Sequence, residues 1–121
     1  MQNAVERGGS RGGTWPLQAI SGIVLLFLLG LHVIAQHFVA AEGMRNFQDV
    51  LSYIRNPLIL VLEVVFLVVV TYHAMLGVRG VVADLGLTRQ QENTVNVVLT
   101  LVGVVLVAWG VYLAWFLVAR A

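Results

Sequence analysis

The chain has 121 residues, a net charge of +1, no cysteine, and a composition that is 60% hydrophobic and 11% charged, with a mean hydropathy of +0.91. A soluble domain of this size cannot hide that much apolar surface, so a water-soluble globular fold is excluded. The near-neutral charge offers no basic patch to nucleic acid, and without cysteine the chain holds neither a disulfide nor a cysteine-ligated iron–sulfur cluster.

Residues 1–14, "MQNAVERGGSRGGT", are glycine-rich and read as a flexible segment. Gly12 to Ala41 carries no Asp, Glu, Lys or Arg; Asn56 to Val78 carries only Glu63; Asn93 to Ala119 carries none. Each stretch exceeds the roughly 20 residues that cross a hydrocarbon core, and a helix satisfies its own backbone in lipid. The sequence therefore predicts an all-α membrane protein with three transmembrane helices, at about 15–40, 57–84 and 94–120, in one domain over 15–121. The first stretch is too long for a cleavable signal peptide. Pro16 sits in the first turn, where a missing N–H costs nothing. The connector from Ala41 to Asn56 is expected to hold a short interfacial helix, and Gly86 to stop the second span.

Orientation follows from arginines. Arg7, Arg11, Arg79 and Arg89 lie on one side, and Arg45, Arg55 and Arg120 on the other, which favours a cytoplasmic N-terminus in a prokaryotic cytoplasmic membrane. Tyr112, Trp115 and Phe116 suit an aromatic belt on the far side.

Polar residues inside a membrane are expensive, so each needs a reason. On the second span His73, Gly77, Gly80 and Asp84 share one narrow face at about 100° per residue. Glycines beside an imidazole leave a groove that a flat macrocycle can enter; alternatively they form a helix-packing face and His73 bonds a neighbour. On the first span Gln18, Ser21, His32 and Gln36 form a polar stripe, while His37 points elsewhere and reads as interfacial. Asn96, Thr100, Gly103, Gly110 and Ala114 line one face of the third span and read as packing. Glu63 reads as a protonated or interfacial group near Pro57 rather than a proton relay. His32 and His73 are expected to differ in depth by about 10 Å, which prevents them from sharing one iron.

His73, Gly77, Arg79 and Asp84 spell H-x(3)-G-x-R-x(4)-D on the second of three spans, and Ser21 to His32 spells S-G-x(9)-H on the first. In that order the motifs resemble a cytochrome b membrane-anchor subunit of succinate dehydrogenase or fumarate reductase, with a lean towards the D-type anchor. The resemblance implies half of a haem-binding bundle, completed by a second membrane-anchor subunit, with an iron–sulfur subunit and a flavoprotein subunit as soluble partners. It implies haem b on His73, a second, distal haem b on His32, Arg79 meeting a propionate beside Gly77, and a quinone, menaquinone among the candidates, near Asp84, Ser21 and Gln18. Two departures stand out: many members have an arginine where this chain has Ala19, and one anchor type has a tyrosine where it has Leu85. A haem-free structural anchor is the first alternative. A small proton-conducting protein using Glu63 and His73 is the second, weakened because the third span supplies only Asn96 and Thr100 near one end.

Overall fold

The protein is described by a computed structural model over residues 15–38 and 46–120. The expected flexible segment at 1–14, the predicted end of the first span at 39–40, Ala121, and the orientation-setting Arg7, Arg11 and Arg45 lie outside the described residues. Among the described residues every regular element is a helix: α1 (Trp15–Phe38), α2 (Phe47–Ile54), α3 (Pro57–Ala83) and α4 (Arg89–Arg120). Helices α1, α3 and α4 are each long and apolar enough to cross a bilayer. Their apolar side chains face outwards, Phe27 at 74% exposure and Trp115 at 70%. That surface is stable only against lipid or another membrane chain.

Local signals set the helix ends. Asn46 and Asp49 cap α2 reciprocally: the Asn46 side chain accepts from the Asp49 N–H at 3.0 Å, and the Asp49 carboxylate accepts from the Asn46 N–H at 3.2 Å. Asn56 caps α3 by accepting from the Leu58 N–H, with Pro57 in the first turn. After α3 the chain turns at Gly86, whose φ of +70° strains any residue with a Cβ. Helix α4 starts at Arg89, ahead of the expected Thr94. Thr88 and Gln91 explain the extension: the Gln91 N–H donates to Thr88 Oγ1, and Gln91 Oε1 accepts from the Thr88 N–H. That is a capping box, which holds the polar run Arg89–Asn93 in the helix despite its lack of apolar periodicity.

Helix α3 is central, packed on α1 along one side and α4 along the other, while α1 and α4 do not pack together. Both seams are antiparallel. On the α1 side Gly22 meets His73, Gln18 meets Gly77 and His32 meets Glu63. On the α4 side Met75 fills the space over Gly103 and Leu67 the space over Gly110, as the small-residue face predicts. Helix α2 lies across the bundle end beside α3 and α4, with Leu51 and Tyr53 buried and Tyr53 clustered with Ala35 and Ile59. At the same end Trp109, Tyr112 and Phe116 follow one another up α4, and the Arg120 guanidinium lies 4.1 Å from the Phe116 ring centre.

Candidate functional site

The polar stripe of α1 faces α3 and meets it at two levels. At the first, Ser21 Oγ lies 2.8 Å from His73 Nδ1 and donates to the Gln18 carbonyl at 3.0 Å. A hydroxyl has one proton. Spent on the carbonyl, it leaves Ser21 Oγ as acceptor, the arrangement in which His73 Nδ1 carries the proton and Nε2 the lone pair. Nε2 makes no hydrogen bond among the described residues. Of the two glycines expected to leave a groove beside His73, Gly77 faces the Gln18 amide, 3.4 Å from where a Cβ would stand. Gly80 has open space over it. The open groove is therefore displaced towards Gly80, and Gly77 serves the close approach of α1.

The second level joins His32 and Glu63. His32 Nδ1 donates to Glu63 Oε1 at 2.8 Å, and the Tyr53 hydroxyl donates to the same oxygen at 2.7 Å. The Gln36 amide lies 2.8 Å from His32 Nε2, and Phe66 stacks on the imidazole with ring centres 5.1 Å apart. Glu63, read from the sequence as a protonated or interfacial group near Pro57, is held by two hydrogen-bond partners. Burial, the hydrogen bond to Glu63 and the nearby carboxylate together push the Tyr53 hydroxyl above its ordinary pKa. His37 is exposed on α1, away from this cluster.

Ser21 and His32 are eleven residues apart on α1, roughly 16 Å, and their partners His73 and Glu63 are ten apart on α3, roughly 15 Å. The two imidazoles therefore sit at separate depths, too far apart for one metal ion, whose two nitrogen ligands lie about 4 Å from each other.

Because α1 and α4 do not pack together, a cleft of about 630 Å³ opens between them over the last turns of α3. Gln18, Gly77, Arg79, Gly80, Asp84 and Asn96 contribute to its walls. Gln18 Oε1 and Arg79 Nε are buried with no hydrogen-bond partner among the described residues. Buried polar atoms of this kind are expected to find partners, so the cleft suits a ligand offering both an acceptor and a donor. Asp84 caps α3 through its own backbone N–H, which donates towards the Val81 and Val82 carbonyls. Its carboxylate gains nothing from the negative end of the helix dipole, so helix stability does not account for it.

Sequence reasoning placed Gln18 and Ser21 on one face of the first span and His73, Gly77 and Asp84 on one face of the second, with Arg79 entering through the motif, and the structure brings them to one end of the α1–α3 seam. It missed Tyr53, and the contacts of Gln36 and Glu63 with His32. A signal was present: His32 is six residues before the end of α1 and Glu63 six after the start of α3, so antiparallel packing sets them level.

Three apolar spans, joined by hydrogen-bonded polar groups and leaving much of their surface uncovered, define an integral membrane bundle. Over residues 10–118 the chain matches the family described as succinate dehydrogenase/fumarate reductase transmembrane subunit. It is 31% identical over 103 residues to the succinate dehydrogenase hydrophobic membrane anchor subunit of Thermoplasma acidophilum, covering 85% of this chain and 83% of that one. To the subunit of the same description from Archaeoglobus fulgidus it is 24% identical over 99 residues, covering 82% and 84%. No solved structure matches the chain. The chain belongs to the succinate dehydrogenase/fumarate reductase transmembrane subunit family, as an integral membrane anchor of that enzyme complex.

Proposed function

We propose that this anchor also transfers electrons. With a second membrane-anchor subunit it holds haem b and forms part of a quinone site. Electrons taken from succinate reach it through a flavoprotein subunit and an iron–sulfur subunit. The observation that carries the reading is the ordered His73–Ser21–Gln18 chain, which fixes the proton on Nδ1 and leaves Nε2 uncommitted. Imidazole ligands with one nitrogen on a fixed acceptor and the other on the metal are the usual arrangement. Haem supplies one-electron redox chemistry when bound; the protein supplies the axial nitrogen, the burial and the neighbouring charge. Arg79 would be the cation for a propionate, and the partner anchor would supply the other ligand to the iron.

Gln18, Asp84 and Ser21 are assigned to the quinone end. The unpaired Gln18 oxygen and Arg79 nitrogen at the cleft support the assignment, since a quinone accepts hydrogen bonds and its reduced form donates them. The arginine bias favours the cytoplasmic side for this end and the N-terminus, which is where soluble subunits would dock. His32 is assigned to a second, distal haem b. One observation favours a single-haem version instead: Gln36 occupies His32 Nε2. The ratio of haem to flavin in the purified complex separates the two versions.

The central test is His73→Ala. A reduced-minus-oxidised spectrum of the variant complex is expected to lose one b-type haem while the subunits still co-purify. Unchanged haem content and potentials would defeat the proposal.

A further inference from the structure

Glu63 is the one acidic residue between Asn56 and Val78. It sits six residues into α3, and an ionisable group within a span calls for a partner. Its Oε1 receives both the Tyr53 hydroxyl and His32 Nδ1. The Gln36 amide nitrogen can only donate, so Nε2 receives it with its lone pair and Nδ1 bears the imidazole proton. Phe66 fixes the plane of the ring, and Glu63 fixes its rotation within that plane. The remaining partner is Gln36. It sits one turn along the same helix, and its flexible side chain can leave Nε2 by a change of rotamer.

A neutral partner is enough to orient an imidazole, as Ser21 does at His73 Nδ1. At His32 the chain instead brings an acid into the membrane and clamps it with a tyrosine from outside the span. We infer that Glu63, held by Tyr53, is a positioning residue for His32 as a haem ligand, fixing the Nδ1–H tautomer and raising the basicity of Nε2, with Gln36 the partner that ligation displaces. The inference rests on the distal-haem reading above and goes beyond it by giving Glu63 and Tyr53 roles. A carboxylate on the far N–H of an axial imidazole makes it a stronger donor, which favours the oxidised iron and lowers the potential.

The experiment is a redox titration at one fixed pH, with low-temperature EPR, on the assembled complex carrying Glu63→Gln, Tyr53→Phe or His32→Ala. Glu63→Gln replaces an anion with a neutral amide of the same shape. Both haems are expected to stay bound, with one midpoint moved upwards and the low-spin EPR signal of that haem shifted. Tyr53→Phe removes a donor from Glu63 and leaves the carboxylate a stronger acceptor for His32, so the same midpoint moves downwards, by less. His32→Ala is expected to remove one haem, the one whose signal the other two variants shift. If His32→Ala retains every haem, the distal-haem reading fails and this inference with it. If it removes a haem while Glu63→Gln and Tyr53→Phe leave midpoints and EPR signals in place, the distal haem stands and the positioning role is overturned. Where Glu63→Gln does not assemble, Tyr53→Phe decides by the same criterion.

Discussion

His73 leans on a neutral hydroxyl from the helix opposite, whereas His32 leans on a carboxylate that is itself held from outside the membrane span. The first chain of hydrogen bonds ends on a backbone carbonyl of α1, so everything that orients His73 lies within two packed helices. The second ends on Tyr53 in α2, so the orientation of His32 depends on the connector between spans as well. The His73 end also opens into the cleft, while the His32 end is covered by α2. One seam thus carries two imidazoles with the same tautomer but different neighbouring charge, tethering and access.

The largest effect expected of this difference is at the cleft, which belongs to the His73 end. Asp84→Asn is expected to lower quinone reduction about tenfold, the loss of one good charge-assisted contact, at little cost to succinate oxidation by a soluble dye. Equal loss in both assays would remove Asp84 from the quinone site. Next, Ser21→Ala leaves the His73 Nδ1–H without its acceptor, at a cost of about 1–3 kcal/mol for a buried donor. Thermal release of haem should come earlier for the His73 haem than for the other; equal shifts in both would erase the contrast between the ends.

A third variant asks whether the ends also differ along the α4 seam. Gly110→Ala sets a methyl against Leu67, and Gly103→Ala sets one against Met75. Overpacking costs about 1–3 kcal/mol, and an unbranched methionine adapts more readily than a leucine. Unfolding in detergent should therefore show the larger loss for Gly110→Ala; the reverse order would mean that the seam is looser at Leu67. The smallest effect concerns pH. Folding raises the Tyr53 pKa above its ordinary value of about 10. The linked stability is complete below that value and declines as pH rises beyond it, because the unfolded chain then releases its proton first. Tyr53→Phe should flatten this alkaline decline, and a curve that keeps its slope would show that another group causes it.

Much of the architecture was legible because membrane crossing leaves a strong trace: long uncharged stretches read directly as α1, α3 and α4. Single-helix faces were legible too, since Ser21 and His32 share a stripe by periodicity alone. What escaped was whatever depends on two elements at once. Glu63 looked like an interfacial stray because its partners are 31 and 10 residues away, on different helices. At Gly77 the missing side chain suggested an open groove, and Gly77 does line the cleft, but what escaped is that the Gln18 amide of α1 borders it, 3.4 Å from where a Cβ would stand. The early start of α4 escaped for a local reason: the Thr88–Gln91 capping box works by hydrogen bonds, which hydropathy does not register.

The two levels at which α1 meets α3 also act as a checksum on how the chain is threaded into the membrane. Lipid gives apolar helices little reason to prefer one alignment over another. A slip of α3 by one turn in one direction would set Glu63 against Leu28 and His32 against Ile59. A slip in the other would set His73 against Leu26 and His32 against Leu67. Either misalignment strips two ionisable side chains of their hydrogen-bond partners at once. A single polar contact would tolerate a compensating slide; two of them, roughly 15 Å apart on one helix, allow a single reading frame.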